Sequence, residues 1–192
     1  MEAESVSIVQ NIQETEPLRG DEFYIMCEEV LAANAGDIAP EDYANVEKIV
    51  RNADYVFYQI SYSKQMEQNQ YRNKIYAHCL QQDKDVLIYD TSEAYWINEI
   101  MANNTHLYWV EYISDGTNVC YRVMQYQLDN GNISCIAERD ITEFSDMCLG
   151  LSERFLIWDD MHSDGRVEIV VLILKSRNSG RGMMLTIYHA VL

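Results

Sequence analysis

The densest group of side chains that could do chemistry lies near the end of the chain. Asp159, Asp160, His162 and Asp164 fall within one short stretch, and Asp115 occupies a related place earlier in the sequence. Grouped carboxylates can hold calcium or act as general acids and bases. The spacing is not that of an EF-hand, and the same residues are typical of a solvated hairpin. We predict that these five are loop residues that bind a ligand, with no metal and no cofactor.

Two short motifs resemble parts of catalytic signatures but are incomplete. Gly150-Leu151-Ser152 begins like a nucleophile elbow, yet Arg154 stands where the closing glycine belongs. Gly180-Arg181-Gly182 begins like a dinucleotide loop, yet Leu185 replaces the third glycine. Turn residues are the simpler interpretation of both motifs. The sequence therefore predicts no catalytic residue, and we lean towards a protein that is not an enzyme.

The charge balance argues against polyanionic partners. The chain has 14 Lys and Arg against 31 Asp and Glu, which gives a formal net charge of −17. Nucleic acids and anionic membrane surfaces would be repelled. The longest aliphatic run, Ile169 to Leu174, is too short to cross a bilayer as a helix and suits a buried strand. The first ten residues lack the basic and apolar regions of a signal peptide, and the localisation stays open.

The cysteine pattern excludes a complete internal disulfide framework. The chain has 5 cysteines, an odd number, and no CxxC pair. We expect them to act as small buried hydrophobic residues, which favours a reducing compartment. They are Cys27, Cys79, Cys120, Cys135 and Cys148.

A repeat organises most of the chain. Residues 109–116 read WVEYISDG, and residues 158–165 read WDDMHSDG. Residues 46–58, 97–109 and 146–158 then align as three copies with a period of about 50 residues. In this alignment the same positions are shared by Tyr58, Trp109 and Trp158, and by Asn52, Asn103 and Ser152.

Each copy has the pattern of four short antiparallel strands. After the aromatic residue come a polar turn, an apolar run that ends in leucine, another turn and a further apolar run. The leucines are Leu80, Leu128 and Leu174. Asp129 to Asn132 reads DNGN, which is a strong hairpin signal because Asn and Gly tolerate positive φ. Residues 46–52 also have helical spacing, but their agreement with the other copies favours a strand.

The aromatic residue and the Ser-Asp-Gly that follows it have a structural interpretation. We expect the aromatic ring to end the buried part of the second strand and to fill the space between stacked sheets. Ser-Asp-Gly then opens the loop to the third strand. The first copy departs from this pattern, with Ser63-Lys64-Gln65 and a longer loop.

These units resemble the blades of TolB-like β-propellers. The likeness rests on the four-strand period, the aromatic residue, the Ser-Asp-Gly turn and the sequence Leu128-Asp129-x-Gly131, and it covers about residues 45–192. The resemblance implies an all-β, propeller-like array of about three four-stranded antiparallel blades, at 45–94, 95–143 and 144–192. The family is commonly six-bladed and often extracytoplasmic in bacteria.

Three blades are too few to close a propeller, which has about four to eight. Three explanations stay open: a fragment of a longer propeller, two chains that complete a ring of six, or an N-terminal segment that covers one end. Residues 1–44 form this extension, in which the pattern predicts a strand at 5–12 and a helix at 22–34.

The function expected from these features is recognition. We predict a non-catalytic, propeller-like module that binds a protein or a small ligand, with a homodimer as one way to complete the ring. The alternatives are a propeller-type hydrolase or lyase that uses loop carboxylates, and a purely structural fragment.

Overall fold

The computed structural model describes seven parts of the chain: residues 42–64, 71–91, 95–114, 117–141, 147–161, 166–174 and 187–191. The predicted N-terminal strand at 5–12 and helix at 22–34 lie outside the described residues. Within these seven parts every regular element is a β-strand, and no helix occurs that could cross a membrane. The all-β prediction is confirmed.

The strands form three four-stranded antiparallel sheets, each in the order of the sequence. The first sheet contains β1 (Asp42–Arg51), β2 (Tyr55–Lys64), β3 (Tyr71–Cys79) and β4 (Lys84–Asp90). The second contains β5 (Tyr95–Ala102), β6 (His106–Ser114), β7 (Val119–Gln127) and β8 (Ile133–Ile141). The third contains β9 (Leu149–Leu151), β10 (Phe155–Met161), β11 (Val167–Ile173) and β12 (Ile187–Val191). The strand predicted at 46–52 is present but ends at Arg51, one residue early, and it begins at Asp42, three residues before the predicted start of the repeats.

The turn between the first two strands of each sheet has the same hydrogen bonds in all three copies. Asn52 Oδ1 accepts from the backbone N–H groups two and three residues ahead, at 3.0 and 2.9 Å. Asn103 Oδ1 does the same at 2.9 Å for both, and Ser152 Oγ at 3.3 and 3.0 Å. A short polar side chain is thus required at this position because it caps the turn.

A second hydrogen bond ties the same turn to the end of the third strand. The backbone N–H groups of the three leucines donate to carbonyl oxygens in the turn at 3.0, 3.0 and 2.7 Å. The pairs are Leu80 with Asp54, Leu128 with Thr105, and Leu174 with Arg154. The predicted alignment of the copies therefore holds at the level of individual hydrogen bonds.

The first two sheets also carry bulges at matching places. Glu47 is the extra residue opposite β2, and Asn98 is the extra residue opposite β6. Ile88 and Ile136 are the extra residues in the fourth strands of the two sheets. Because a bulge increases the local twist of a strand, the two sheets are twisted at the same positions.

Asparagine side chains of the first and second units donate hydrogen bonds to the backbone of the unit that follows. Asn52 Nδ2 donates to the carbonyl of Asn103 at 2.8 Å, and Asn98 Nδ2 donates to the carbonyl of Met147 at 3.0 Å. The first strands of the sheets also approach each other, with β1 beside β5 and β5 beside β9. The sheets therefore pack face to face, in sequence order, with their first strands together.

Apolar residues fill both spaces between the sheets. Trp109, which is 0% exposed, packs with Phe57 and Ile75 of the first sheet. Trp158, which is 3% exposed, packs with Tyr108 and other residues of the second sheet. The two tryptophans therefore fill equivalent positions in the two successive interfaces between sheets.

One detail of the predicted second strand is wrong. The buried part of β6 does not end at Trp109, because Val110, Glu111 and Tyr112 are buried as well. The strand alternates between two covered faces, so burial continues as far as the neighbouring sheets extend. Ser114 was predicted to open the loop to β7, but it is the last residue of β6, so the strand runs one residue further than predicted.

The expectation of buried cysteines holds only in part. Cys79 is buried, Cys120 is half-buried, and Cys135 and Cys148 are exposed. All four are free thiols, and Cys27 lies outside the described residues.

Candidate functional site

The two ends of the sheets carry different connections. At one end, the first two strands of every sheet are joined by three residues, and the third and fourth strands are joined by four, five and thirteen residues in the three copies. At the other end, β2 and β3 are separated by six residues, β6 and β7 by four, and β10 and β11 by five. We call this second end the loop end. It has a repeated scaffold beneath connections that differ from copy to copy, as is usual for binding surfaces.

The predicted ligand-binding residues fall at or near the loop end. Asp115 belongs to the connection between β6 and β7, and His162 and Asp164 to the connection between β10 and β11. These three residues lie outside the described parts of the chain. The strand ends that flank them lie at the same end of adjacent sheets because all the strands are antiparallel.

The loop assignment of Asp159 and Asp160 is wrong. Both belong to β10, where they pair with Ile169 and Glu168 of β11. Asp159 Oδ1 accepts a hydrogen bond of 2.7 Å from the backbone N–H of Cys148. Asp159 therefore ties the start of the third sheet to β10, which is a structural role. The sequence could not separate strand from loop here because two adjacent acidic residues are uncommon inside a strand.

A buried carboxyl group lies between the first and second sheets. Glu111 is 0% exposed and faces the first sheet beside Trp109, whose indole Nε1 donates to Glu111 Oε2 at 3.3 Å. Tyr89 of the first sheet also hydrogen bonds to this carboxyl, and its ring lies 4.9 Å from that of Trp109. Arg122 and Glu138 continue the same row across β7 and β8. We call these five residues the Glu111 cluster.

The surroundings of Glu111 raise the pKa of its carboxyl. Burial raises the pKa of its carboxyl, and the hydrogen bonds from Tyr89 and Trp109 and the charge of Arg122 offset only part of that effect. Arg122 Nη1 lies 3.9 Å from Oε1, which has no hydrogen-bond partner. The guanidinium instead makes its close contact with Glu138, an exposed residue of the outer strand β8 in the same row. Glu111 is thus a poorly compensated acid inside a protein interface.

A network of amides holds the strands around Glu111. Gln59 Nε2 donates to Asn73 Oδ1 at 3.0 Å and to the carbonyl of Ile97 at 3.3 Å. Ile97 is the residue of β5 that pairs with Glu111, just before the bulge at Asn98. The amide therefore satisfies a carbonyl next to the bulge and fixes the distance between the two sheets.

Sequence reasoning missed Glu111 because its position in the repeat does not mark it. The corresponding positions of the other copies are Ile60 and Asp160, so the repeat does not single out an acid. The usable signal was the alternation Trp109-x-Glu111 in an otherwise apolar strand, since polar residues on the covered face of a strand require partners.

The cluster lacks access for chemistry. A perturbed pKa is a common sign of a catalytic acid, but such a group must also reach a substrate. Glu111 is fully enclosed by the two sheets, and the exposed end of its row is the Arg122–Glu138 pair. The described parts of the chain contain no group of three or more His, Cys, Asp or Glu arranged to hold a metal. The cluster therefore acts on the stability of the interface, and the loop end is the better candidate for binding.

No protein-family model matches the chain, and no curated protein has significant similarity to it. The function must therefore be argued from the fold and the residues of this chain.

Proposed function

We propose that this chain is a recognition module of the TolB-like propeller type, which binds a protein or a small ligand with its loop end and performs no catalysis. One observation carries the proposal. The same capped turn recurs in all three sheets, while the connections between the second and third strands, which contain Asp115, His162 and Asp164, differ in length from copy to copy. A repeated scaffold that presents unequal loops is suited to recognition, since the loops vary without cost to the core.

The arrangement of the sheets supports the propeller part of the proposal. Each blade of a propeller is a four-stranded antiparallel sheet, and the first strands surround a central axis. Here the first strands of successive sheets are neighbours, while the fourth strand β4 is largely exposed. Contact between first strands and exposure of a fourth strand are what a radial order of blades requires, and they support the proposal.

We further propose that another chain can complete the array at the third sheet. Ile157 points away from the second sheet and is 37% exposed, and Phe155 and Val171 beside it are half-buried. In the second sheet the matching position is Tyr108, which is 0% exposed because the third sheet covers it. The third sheet therefore presents a face of the kind that a further blade covers, and a second copy is the simplest partner to test.

A binding screen tests the recognition function. The chain is applied to peptide and glycan arrays and to a set of hydrolase and lyase substrates, beside Asp115→Asn/Asp164→Asn and the control Asp129→Asn. Asp129 is an exposed acid in a turn at the opposite end of the sheets. The proposal expects binding that the double variant loses and the control keeps. It is overturned if nothing binds or if the control loses binding equally. Turnover that vanishes in the double variant would instead establish the alternative of a hydrolase or lyase.

Light scattering tests the completion by a second copy. A dimer should have twice the mass of the 22.4 kDa chain. Ile157→Lys should return the particle to the mass of one chain because a charge on this face cannot be buried without a partner. A wild-type chain that stays monomeric at high concentration would contradict the dimer and leave the loop-end proposal standing.

A further inference from the structure

We propose that residues 1–41 of this chain pack on the outer face of the first sheet and take the place that a preceding blade would occupy. The outer face is the side of the first sheet turned away from the second sheet. Its buried residues are Tyr58, Ile60, Tyr62, Lys74 and Tyr76. The proposal concerns the folding of a single chain and does not depend on the ligand.

The repeat shows that the outer face is covered. Tyr58 shares its position with Trp109 and Trp158, each of which faces the sheet that precedes its own. Trp109 is 0% exposed and Trp158 is 3% exposed because a sheet lies against them. Tyr58 is 1% exposed and Ile60 is 0% exposed, although no described strand lies on their side.

The opposite end of the array shows what an uncovered position looks like. Phe57 and Tyr108 face the following sheet, and both are 0% exposed. Ile157 has the same position in the third sheet, which no described sheet follows, and it is 37% exposed. An uncovered first sheet should show the same exposure at Tyr58.

Neighbours within the first sheet cannot produce this burial. Tyr58 stacks on Tyr76 with ring centroids 5.2 Å apart, and its hydroxyl donates to Asp85 at 2.9 Å. Ala44, Val46 and Ile49 of β1 pack beside them. Side chains on one face of a sheet shield one another's flanks, but their outer surfaces are covered only by another layer about 10 Å away.

The N-terminal segment is the occupant that fits. The burial belongs to a single chain, so a second copy is not required for it. Residues 1–41 run directly into β1 and form the longest part of the chain outside the described residues. They contain 10 acidic residues and 1 Arg, and the face that they would cover carries Lys74, which is 6% exposed. The opposite charges of the N-terminal segment and of this face favour contact between them.

Zero-length cross-linking of the full chain tests the proposal directly. A carbodiimide joins a lysine amine to a carboxylate in contact with it, and the Lys48–Glu99 pair, 3.6 Å apart, serves as the internal positive control. We expect Lys74 to be linked to an acid between residues 1 and 41 in the same chain. Links from Lys74 only to other regions would overturn the proposal. In a mixture of ¹⁵N-labelled and unlabelled protein, links only between two chains would overturn it as well.

A variant tests the same contact without a cross-linker. Phe23→Glu/Val30→Glu/Leu31→Glu in the full chain removes three apolar side chains from the segment, and the acetylation rate of Lys74 is compared with that of Lys48, whose side chain is 40% exposed. We expect Lys74 to be acetylated at least about tenfold faster in this variant than in the wild type, because the segment no longer covers it. The circular dichroism of the strands should stay unchanged. Unchanged protection of Lys74 would overturn the proposal.

A matched control separates the loss of apolar contacts from the added charge. Gln10→Glu/Gln13→Glu/Asn34→Glu also adds three negative charges to the segment but removes no apolar side chain. Lys74 should stay protected in this variant. If both variants release Lys74 to the same extent, general repulsion explains the result and specific packing of the segment is refuted.

Discussion

Replacing Glu111 with Gln tests whether a poorly compensated acid weakens the interface between the first two sheets. The carboxyl is 0% exposed, and burial raises its pKa above the ordinary value of 4.5. The folded protein therefore holds a proton at pH values where the unfolded chain has already lost it. Stability of the wild type is then greatest below the ordinary pKa and falls as the pH rises towards the raised pKa of the folded state.

The size of the effect follows from this difference in proton binding. Each pH unit between the ordinary and the raised pKa lowers the free energy of unfolding by about 1.4 kcal/mol. Glu111→Gln removes the titration and keeps an oxygen that can accept from Trp109 and Tyr89. The variant should match the wild type to within about 1 kcal/mol at pH 4, the scale of one hydrogen bond. It should become the more stable protein as the pH rises to 8.

Urea unfolding, followed by tryptophan fluorescence at pH 4, 6 and 8, measures this difference. Glu138→Gln is the control, because it removes a charge from the same row and from the same Arg122 while its side chain is 52% exposed. The buried carboxyl of Glu111 is still present in this variant, so its stability should still fall between pH 4 and pH 8. If Glu111→Gln is instead destabilised further at pH 8 than at pH 4, the carboxylate is stabilised by Arg122 and our account of the cluster is refuted.

Three further predictions concern the repeat. Asn103→Ala should lower the free energy of unfolding by about 1–2 kcal/mol in urea titrations, because two backbone N–H groups lose their acceptor. Asn103→Ser should keep most of that stability, because Ser152 caps the equivalent turn with its hydroxyl. Trp109→Phe should cost about 1 kcal/mol more than Trp158→Phe in the same assay, since only the Trp109 indole has a buried acceptor. Gly131→Ala should lower the thermal midpoint and cost about 1 kcal/mol, because φ is +71° there, and equal stability would contradict the hairpin geometry.

Local chemistry explains why the repeat could be predicted from the sequence. The side chains of Asn52, Asn103 and Ser152 accept hydrogen bonds from backbone N–H groups two and three residues ahead. The requirement for a short polar side chain is therefore set within a single turn. Gly131 likewise has positive φ inside the predicted DNGN turn. Such features need no knowledge of the neighbouring sheet, and they were enough to place the strands and their order.

The Glu111 cluster could not be predicted because its members come from two sheets. Tyr89 and Glu111 meet only when the first sheet packs on the second, and no repeat position records that contact. Asp159 was misplaced for a related reason. Its carboxylate finds its partner in the backbone of Cys148, which is 11 residues away in sequence and becomes adjacent only through the pairing of β9 with β10.

The first and last sheets show that a position in the repeat does not by itself determine how buried its side chain is. Tyr108 and Ile157 occupy one position of the repeat, yet the first is enclosed and the second is 37% exposed, because only the second sheet is followed by another. Tyr58 and Trp109 occupy another position, and both are enclosed although only Trp109 has a described sheet before it. The position in the repeat sets the direction of a side chain, and whatever lies beside the sheet sets its exposure. If residues 1–41 cover the first sheet as we propose, the open face of the third sheet is the one left for association, so two copies would meet through their third sheets.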